Sequence, residues 1–100
     1  MGARTTWEKM ILRDGRQYNI KIQFVPALVE SHVTVTDRTG RTLGTAIICR
    51  HFYFTFEIFK SKRRTGRRKL SKYTTDRDPK SYSSTVANWI VSKHIPRYTD

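Results

Sequence analysis

Apolar and polar residues alternate along much of the chain, which is the pattern of β-strands with one buried face. In the clearest segment, from Tyr18 to Val25, every second residue from position 18 to 24 is apolar and the residues between them are polar. This segment predicts a half-buried strand, paired through a turn at 13–16 with a strand over residues 7–12. A second pair of strands is predicted on either side of Asp37-Arg38-Thr39-Gly40, a sequence that suits a type I turn.

The first turn leaves the register of its hairpin open. A three-residue loop with a glycine bulge would place Met10 and Leu12 on the buried face, whereas a two-residue turn would place Trp7 and Ile11 there. The difference matters for function, because it decides whether Trp7 lies in the core or on the polar face.

The stretch from 41 to 60 is rich in β-branched and aromatic residues and has no turn signal after Gly44. It is longer than an ordinary strand of about 5–6 residues. It therefore forms either one long bent strand or two strands separated by a break near Cys49-Arg50-His51. In its second half a set of apolar residues shares one parity and predicts a core face: Phe52, Phe54, Phe56 and Ile58.

The C-terminal region carries a pattern typical of a helix, predicted over about 79–95. Asp78 is a favourable N-cap, Pro79 is a favourable first helical residue, and Pro96 limits the end of the helix. Residues at helical spacing predict a face that packs on the sheet: Tyr82, Val86, Trp89, Ile90 and Lys93. The predicted core consists of Phe24, Phe52, Phe54, Phe56, Val86, Trp89 and Ile90.

Together these elements predict a single α+β domain over residues 1–100. Its sheet is expected to be antiparallel and strongly twisted, with four to six strands, and either open or barrel-like. One C-terminal helix follows the sheet and covers one of its faces.

Three tetrapeptides of the form Arg-x-Gly-Arg occur at 13–16, 38–41 and 64–67. Glycine readily adopts the positive φ that tight turns require, so each tetrapeptide is predicted to form a hairpin tip that presents two arginines. The third lies inside a basic segment, predicted as a hairpin or loop at 60–75 with a return strand over about 68–74. That segment contains eight Lys or Arg residues between positions 60 and 72.

Charge makes this segment the strongest functional signal. The chain has 20 Lys and Arg against 8 Asp and Glu, a net charge of +12, and binding of a polyanion, most commonly nucleic acid, relieves such an excess. The predicted phosphate-contacting residues are Lys60, Lys62, Arg63, Arg64, Arg67, Arg68, Lys69 and Lys72, aided by Arg13, Arg16, Arg38 and Arg41. Plainer explanations compete with this one: the segment is a solvated loop or a nuclear-import signal, and the arginines of the first two tips pair with Asp14 and Asp37.

Aromatic residues beside the cations suggest base stacking. Trp7 with Lys21 on the first hairpin, and Tyr53 on the later strand, are candidates for such contacts, unless Trp7 belongs to the core. An aromatic β-face, combined with few cations on the predicted helix, favours RNA or single-stranded DNA over duplex.

Residues suited to catalysis are sparse. His32, His51 and His94 lack the spacing of a metal site, Cys49 is the one cysteine, and no nucleophile motif or glycine-rich phosphate loop occurs. We therefore expect no enzyme activity, no metal and no cofactor. An intracellular protein, cytoplasmic or nuclear, is predicted from the lone cysteine and the lack of an apolar signal region. No membrane span is predicted, because the sequence contains no run of about 18 apolar residues.

The sequence thus predicts a non-catalytic nucleic-acid-binding protein that contacts phosphates through a basic hairpin. A subunit of a ribonucleoprotein, in contact with other proteins of the assembly, is one version of this prediction. The alternative is a protein-interaction or inhibitor module of a virus or mobile element, in which the same hairpin occupies an acidic groove on a partner protein. Charge alone does not separate the two, because acidic grooves and phosphate backbones attract the same arginines.

Overall fold

The computed structural model describes residues 4–59, 62–70 and 77–94. It contains a six-stranded antiparallel sheet followed by one C-terminal helix, which confirms the predicted α+β fold. The strands are β1 (Thr5–Arg13), β2 (Arg16–Val25), β3 (Glu30–Asp37), β4 (Thr42–Ile48), β5 (Tyr53–Ile58) and β6 (Arg64–Lys69), and the helix is α1 (Pro79–His94). The strands follow one another in space as they do in sequence, and the sheet is open, with β1 and β6 at its edges.

The first hairpin adopts the register of the two-residue turn. Arg13 pairs with Arg16, and the two residues between them both have positive φ, 52° for Asp14 and 74° for Gly15. Positive φ at both central positions defines a type I′ turn, for which Asp-Gly is a preferred sequence. Met10 and Leu12 consequently lie on the face away from the helix, where they are 54% and 70% exposed.

The stretch from 41 to 60 forms two strands, with the break at the predicted place. β4 ends at Ile48 and β5 begins at Tyr53. Between them the Phe52 N–H donates a hydrogen bond of 2.9 Å to the Cys49 carbonyl, and Phe52 takes a positive φ of 62°. Phe52 therefore lies in the turn rather than in the strand that follows it, although its ring still packs against the core.

The core lies between α1 and the sheet face formed by alternate residues of β2 to β5. Phe54, Val86 and Ile90 are buried as predicted, whereas Phe52, Phe56 and Trp89 are partly buried against the same cluster. The prediction of Phe24 as a core residue was wrong, because Phe24 is only half-buried and lies outside the cluster. It sits near the end of β2 between two small residues of the neighbouring strands, Thr5 and Ser31, which leave its ring partly uncovered.

The helix begins where Asp78 and Pro79 predicted, and the Tyr82 N–H donates to the Asp78 carbonyl at 3.0 Å. It packs closely on the sheet over Gly44. A Cβ added to Gly44 would lie 2.6 Å from the Ile90 side chain. The missing side chain at position 44 therefore lets the helix pack directly on the strand.

The meander places alternate turns at opposite ends of the sheet. The β1–β2, β3–β4 and β5–β6 connections share one end, which we call the turn end. The β2–β3 and β4–β5 connections lie at the other end.

In the described part of the chain, no helix has the length and apolar character required to cross a membrane.

Candidate nucleic-acid interface

Strand β6 carries the densest charge of the described residues. All six of its residues are exposed, and four are cations that we call the basic edge: Arg64, Arg67, Arg68 and Lys69. The strand lies at the edge of the sheet and pairs on one side only, with β5. No other described strand pairs with its second side, which leaves that side open to a ligand.

The register of β6 sends the cations of the basic edge to both faces of the sheet. Arg64 and Arg68 pair with Ile58 and Phe54, and so lie on the face that α1 covers. Arg67 and Lys69 alternate with them and lie on the opposite face, which the helix leaves open. The edge strand thus presents positive charge to both sides rather than to one.

Aromatic rings hold three of these cations in place. On the open face the Arg67 guanidinium lies 4.4 Å from the centre of the Tyr53 ring, and the Lys69 ammonium lies 5.9 Å from it. On the helix side the Arg68 guanidinium lies 5.3 Å from the Trp89 ring. A cation within about 6 Å of a ring centre is attracted to it. These contacts restrict the long side chains before any ligand arrives.

Trp89 is itself fixed by the core. Its ring meets Phe54 and Phe56 edge to face, with centroid separations of 5.5 and 4.7 Å. Lys93, one helical turn later, places its ammonium 5.5 Å from the same ring. Sequence reasoning assigned Trp89 and Lys93 only to the packing face of the helix. Their spacing of four residues signalled that they share a helix face, but nothing in the sequence indicated that Arg68 would lie beside them.

The third Arg-x-Gly-Arg tetrapeptide lies inside β6, so the prediction that it forms a hairpin tip was wrong. Gly66 is not among the residues with positive φ. Instead it faces Phe56 across the strand pair, and a Cβ added there would lie 2.7 Å from the Phe56 ring. The glycine makes room for an aromatic neighbour rather than for a turn. The strand itself begins at Arg64, earlier than the predicted return strand over 68–74.

The β5–β6 connection places two further predicted site residues at the turn end. Lys62 and Arg63 are exposed. Arg63 forms an ion pair with Glu57 and lies 5.9 Å from the ring of Phe59. Part of its charge is therefore already balanced. Lys60 and Lys72, predicted to belong to the same site, lie outside the described residues.

The far end of β6 is anchored in the body of the protein. Leu70 follows the last strand residue and is fully buried, and its N–H donates a hydrogen bond of 2.6 Å to the Phe52 carbonyl. Sequence reasoning did not single out Leu70, because one apolar residue among cations gives no periodic signal. Its burial fixes the basic edge against the β4–β5 turn.

The first two tetrapeptides do form turns at the turn end, as predicted. Arg13, Arg16, Arg38 and Arg41 are all exposed there. The described residues show no ion pair between these arginines and an acidic side chain. The ion pairs that the alternative explanation requires are therefore not formed by Asp14 or Asp37 among these residues, although the charge of Arg41 acts on the Asp37 carboxylate.

Asp37 serves its own turn instead. One of its carboxylate oxygens accepts hydrogen bonds from the Thr39 hydroxyl at 2.6 Å and from the N–H groups of Thr39 and Arg41 at 2.9 and 3.0 Å. The Thr39 hydroxyl, helped by these two N–H groups and by the nearby positive charge of Arg41, holds the pKa of Asp37 below its ordinary value. The carboxylate thus stabilises the turn that presents Arg38.

Two predicted stacking residues lie away from the basic edge. Trp7 pairs with Ile22, lies on the helix-side face and packs against the core, so the core assignment holds for it. Lys21 is exposed on the open face, directly opposite Glu8 of β1. Neither residue is brought near Tyr53, which is separated from them by the width of several strands.

The described ranges contain no group of three or more His, Cys, Asp or Glu side chains that could hold a metal ion.

Comparison with known proteins gave no match: no family model, no curated protein and no solved structure matches the chain. Function is therefore inferred from the geometry of the site alone.

Proposed function

We propose that this protein binds nucleic acid, without catalysis, through contacts between the basic edge and the phosphate backbone. One observation carries the proposal. Strand β6 exposes four cations on an open sheet edge, and aromatic rings support three of them. No acidic residue occurs within the strand.

Preorganisation favours phosphate binding over simple solvation of these charges. A free Lys or Arg side chain loses about 2 kcal/mol of rotamer entropy when it is fixed. Side chains already packed on Tyr53 and Trp89 lose less of it on binding. Three of the four cations are arginines, whose planar donor groups match two phosphate oxygens at once. Each phosphate neutralised also releases counterions, which drives association at low salt.

RNA or single-stranded DNA suits the site better than duplex. Cations lie on both faces of one strand, and each face has an aromatic ring beside them, Tyr53 on one and Trp89 on the other. Unpaired bases stack on such rings, and a flexible single strand can follow an edge that turns from one face to the other. Within helix α1 the cations are Lys80 and Lys93, which is few for a helix that reads a major groove.

The test compares two variants with equal loss of charge. The first replaces the basic edge: Arg64→Gln, Arg67→Gln, Arg68→Gln and Lys69→Gln. The matched control replaces four exposed cations elsewhere: Arg4→Gln, Lys9→Gln, Arg50→Gln and Lys80→Gln. Each lowers the net charge of +12 by four. Affinity for single-stranded and duplex RNA and DNA of mixed sequence is measured by fluorescence anisotropy against salt concentration, with protein purified under stringent nuclease treatment.

We expect the edge variant to bind single strands far more weakly than the control does. Loss of four phosphate contacts should lower the slope of log affinity against log salt by about 3, since each contact to a single strand contributes about 0.7. Equal effects of the two variants would show that net charge, and not this site, governs binding. Negligible binding of the wild-type protein at low salt would refute the proposal and favour the alternative, a protein that occupies an acidic groove on a partner.

A further inference from the structure

The turn end forms a second row of cations, which meets the basic edge at Arg64. Among the described residues of its three connections and of the strand ends beside them, seven are Lys or Arg and two are Asp. The cations are Arg13, Arg16, Arg38, Arg41, Lys62, Arg63 and Arg64. All seven are exposed.

Apart from Glu57, which pairs with Arg63, the two acidic residues at this end do little to neutralise the row. Asp37 directs one carboxylate oxygen into its own turn through hydrogen bonds to Thr39 and Arg41. Asp14 occupies the first central position of the β1–β2 turn, with φ of 52°. Neither forms an ion pair with an arginine in the part of the chain that the structure describes. The arginines of the first two turns are therefore available to an anionic ligand.

The first two turns also enclose a cleft. It has a volume of about 470 Å³ and lies between the β1–β2 and β3–β4 connections. Arg16 and Arg38 both line it, together with the polar side chains of Gln17, Tyr18 and Thr39, the carboxylate of Asp37 and the apolar side chains of Leu12 and Leu43. Two arginines in one cleft suit a phosphate group, and walls of mixed polar and apolar character suit the sugar attached to it.

Among the described residues, the two strand-to-strand connections at the opposite end of the sheet carry fewer cations, although Arg77 also lies there, with its guanidinium 4.3 Å from the centre of the Phe52 ring. The β2–β3 connection, residues 26–29, is uncharged, and the β4–β5 connection carries Arg50 as its one permanent cation. Both ends consist of turns between strands of the same sheet, so exposure alone does not explain why the arginines collect at one of them. The charge asymmetry marks the turn end as a binding surface.

We propose that the bound nucleic acid continues beyond the basic edge and crosses the turn end at right angles to the strands, from the β5–β6 connection to the cleft between Arg16 and Arg38. This inference rests on the proposed function and specifies the path and the minimum length of its ligand. Arg64 belongs to both surfaces, because it begins β6 at the turn end, and it makes them continuous.

The spacing of the turns sets the length that the path requires. The β1–β2 and β5–β6 connections are four strand spacings apart, or about 19 Å at about 4.8 Å per spacing. At a rise of about 3.4 Å per stacked nucleotide, the row spans about six nucleotides. A shorter stacked oligonucleotide can occupy the basic edge but cannot also reach the far wall of the cleft at Arg16.

The test measures how a turn-end variant responds to ligand length. Arg16→Ala/Arg38→Ala removes the two cations of the cleft. The control, Arg4→Ala/Arg50→Ala, removes two exposed cations that lie away from the turn end. Both are titrated with mixed-sequence single-stranded RNA of about 4, 8 and 16 nucleotides, a range that brackets known single-strand site sizes. The basic-edge variant is titrated in parallel.

We expect the cleft variant to bind the shortest RNA as the wild type does, and the longest about tenfold more weakly, with a salt slope reduced by about 1.4 for two lost contacts. Equal affinity of the cleft variant and the control at every length would overturn this inference. In that case, loss of binding in the basic-edge variant would still support the proposed function. Absence of binding by the wild-type protein at all lengths would overturn both.

Discussion

Tyr53 and Phe54 are neighbours in β5 that point to opposite faces, so replacing them one at a time should separate folding from binding. Phe54 is 1% exposed and packs edge to face against Trp89 at a centroid separation of 5.5 Å. Tyr53 is half-buried on the open face, where it supports Arg67 and Lys69. The predicted pair of variants is Phe54→Ala and Tyr53→Ala.

The two changes should differ in their cost to stability. Removing a fully buried phenyl ring leaves a cavity between α1 and the sheet, and such changes cost about 3–5 kcal/mol. Tyr53 contributes a cross-strand pair worth about 0.2–1 kcal/mol and cation–π contacts worth about 0.5–1 kcal/mol at an exposed site. We therefore expect Tyr53→Ala to lower the free energy of unfolding by about 1 kcal/mol.

The effects on binding should run in the opposite order. Tyr53→Ala removes the support for two cations of the basic edge and a ring on which a base can stack, a contact worth about 1–3 kcal/mol per base. We expect it to weaken single-strand binding about tenfold. Phe54→Ala should weaken binding by the folded fraction less than Tyr53→Ala does, because Phe54 is buried and supports the basic edge only indirectly, through Trp89 and Arg68.

Urea unfolding followed by circular dichroism gives the two stabilities, and anisotropy titration below the unfolding transition gives the two affinities. The reasoning fails if Tyr53→Ala destabilises the protein as much as Phe54→Ala does. That result would mean that the open face of β5 is packed rather than exposed. Wild-type affinity of Tyr53→Ala would instead remove Tyr53 from the binding site while leaving the assignment of faces intact.

Two further predictions concern the helix contact and the second turn. Gly44→Ala should destabilise the protein by about 1–2 kcal/mol, because the new Cβ would overlap the buried Ile90 side chain. Overpacking of this kind costs about 1–3 kcal/mol, which exceeds the stability gained from a less flexible unfolded chain. Unchanged stability in urea unfolding would contradict the close approach of α1 to β4. The lowered pKa of Asp37 means that its carboxylate stabilises the fold at pH values above its ordinary pKa and that this contribution is lost as the pH falls through the lowered pKa. Asp37→Ala should therefore be less stable than the wild type at neutral pH and approach its stability only below about pH 4. Chemical unfolding measured across pH tests this. A difference in the free energy of unfolding that stays constant down to acid pH would count against the role of the carboxylate.

Much of the fold could be predicted from the sequence because each strand has one buried face. The alternation from Tyr18 to Ile22 fixed the core side of β2, and the parity of Phe54, Phe56 and Ile58 fixed that of β5. The register of the first hairpin could not be chosen, because both parities of β1 contain apolar residues. The structure resolves it through the turn, where Asp14 and Gly15 both adopt positive φ.

The candidate site was predicted in composition but not in geometry. Glycine serves turns and close approaches equally well, so the sequence around Gly66 predicts a hairpin tip, whereas the glycine in fact makes room for the Phe56 ring. The sequence placed the start of the return strand at about residue 68, whereas β6 begins at Arg64. Because of this difference, the sequence could not show that Arg67 and Arg68 lie on opposite faces of the sheet. The contact between Arg68 and Trp89 joins a strand to a helix about twenty residues later in the chain, and no local pattern encodes such a meeting.

Charge on an edge strand has a simpler explanation, protection against pairing with other sheets, and this explanation applies to both edges. Strand β1 is the other edge, yet its nine residues carry two cations and one acid and expose Met10 and Leu12. Strand β6 carries four cations in six residues with no acid. Protection alone would not require such an imbalance, nor would it require that Arg67 and Arg68 each lie against an aromatic ring. A solvated cation deters edge pairing equally well without a ring beneath it, whereas a phosphate-binding cation benefits from being held in place before its ligand arrives.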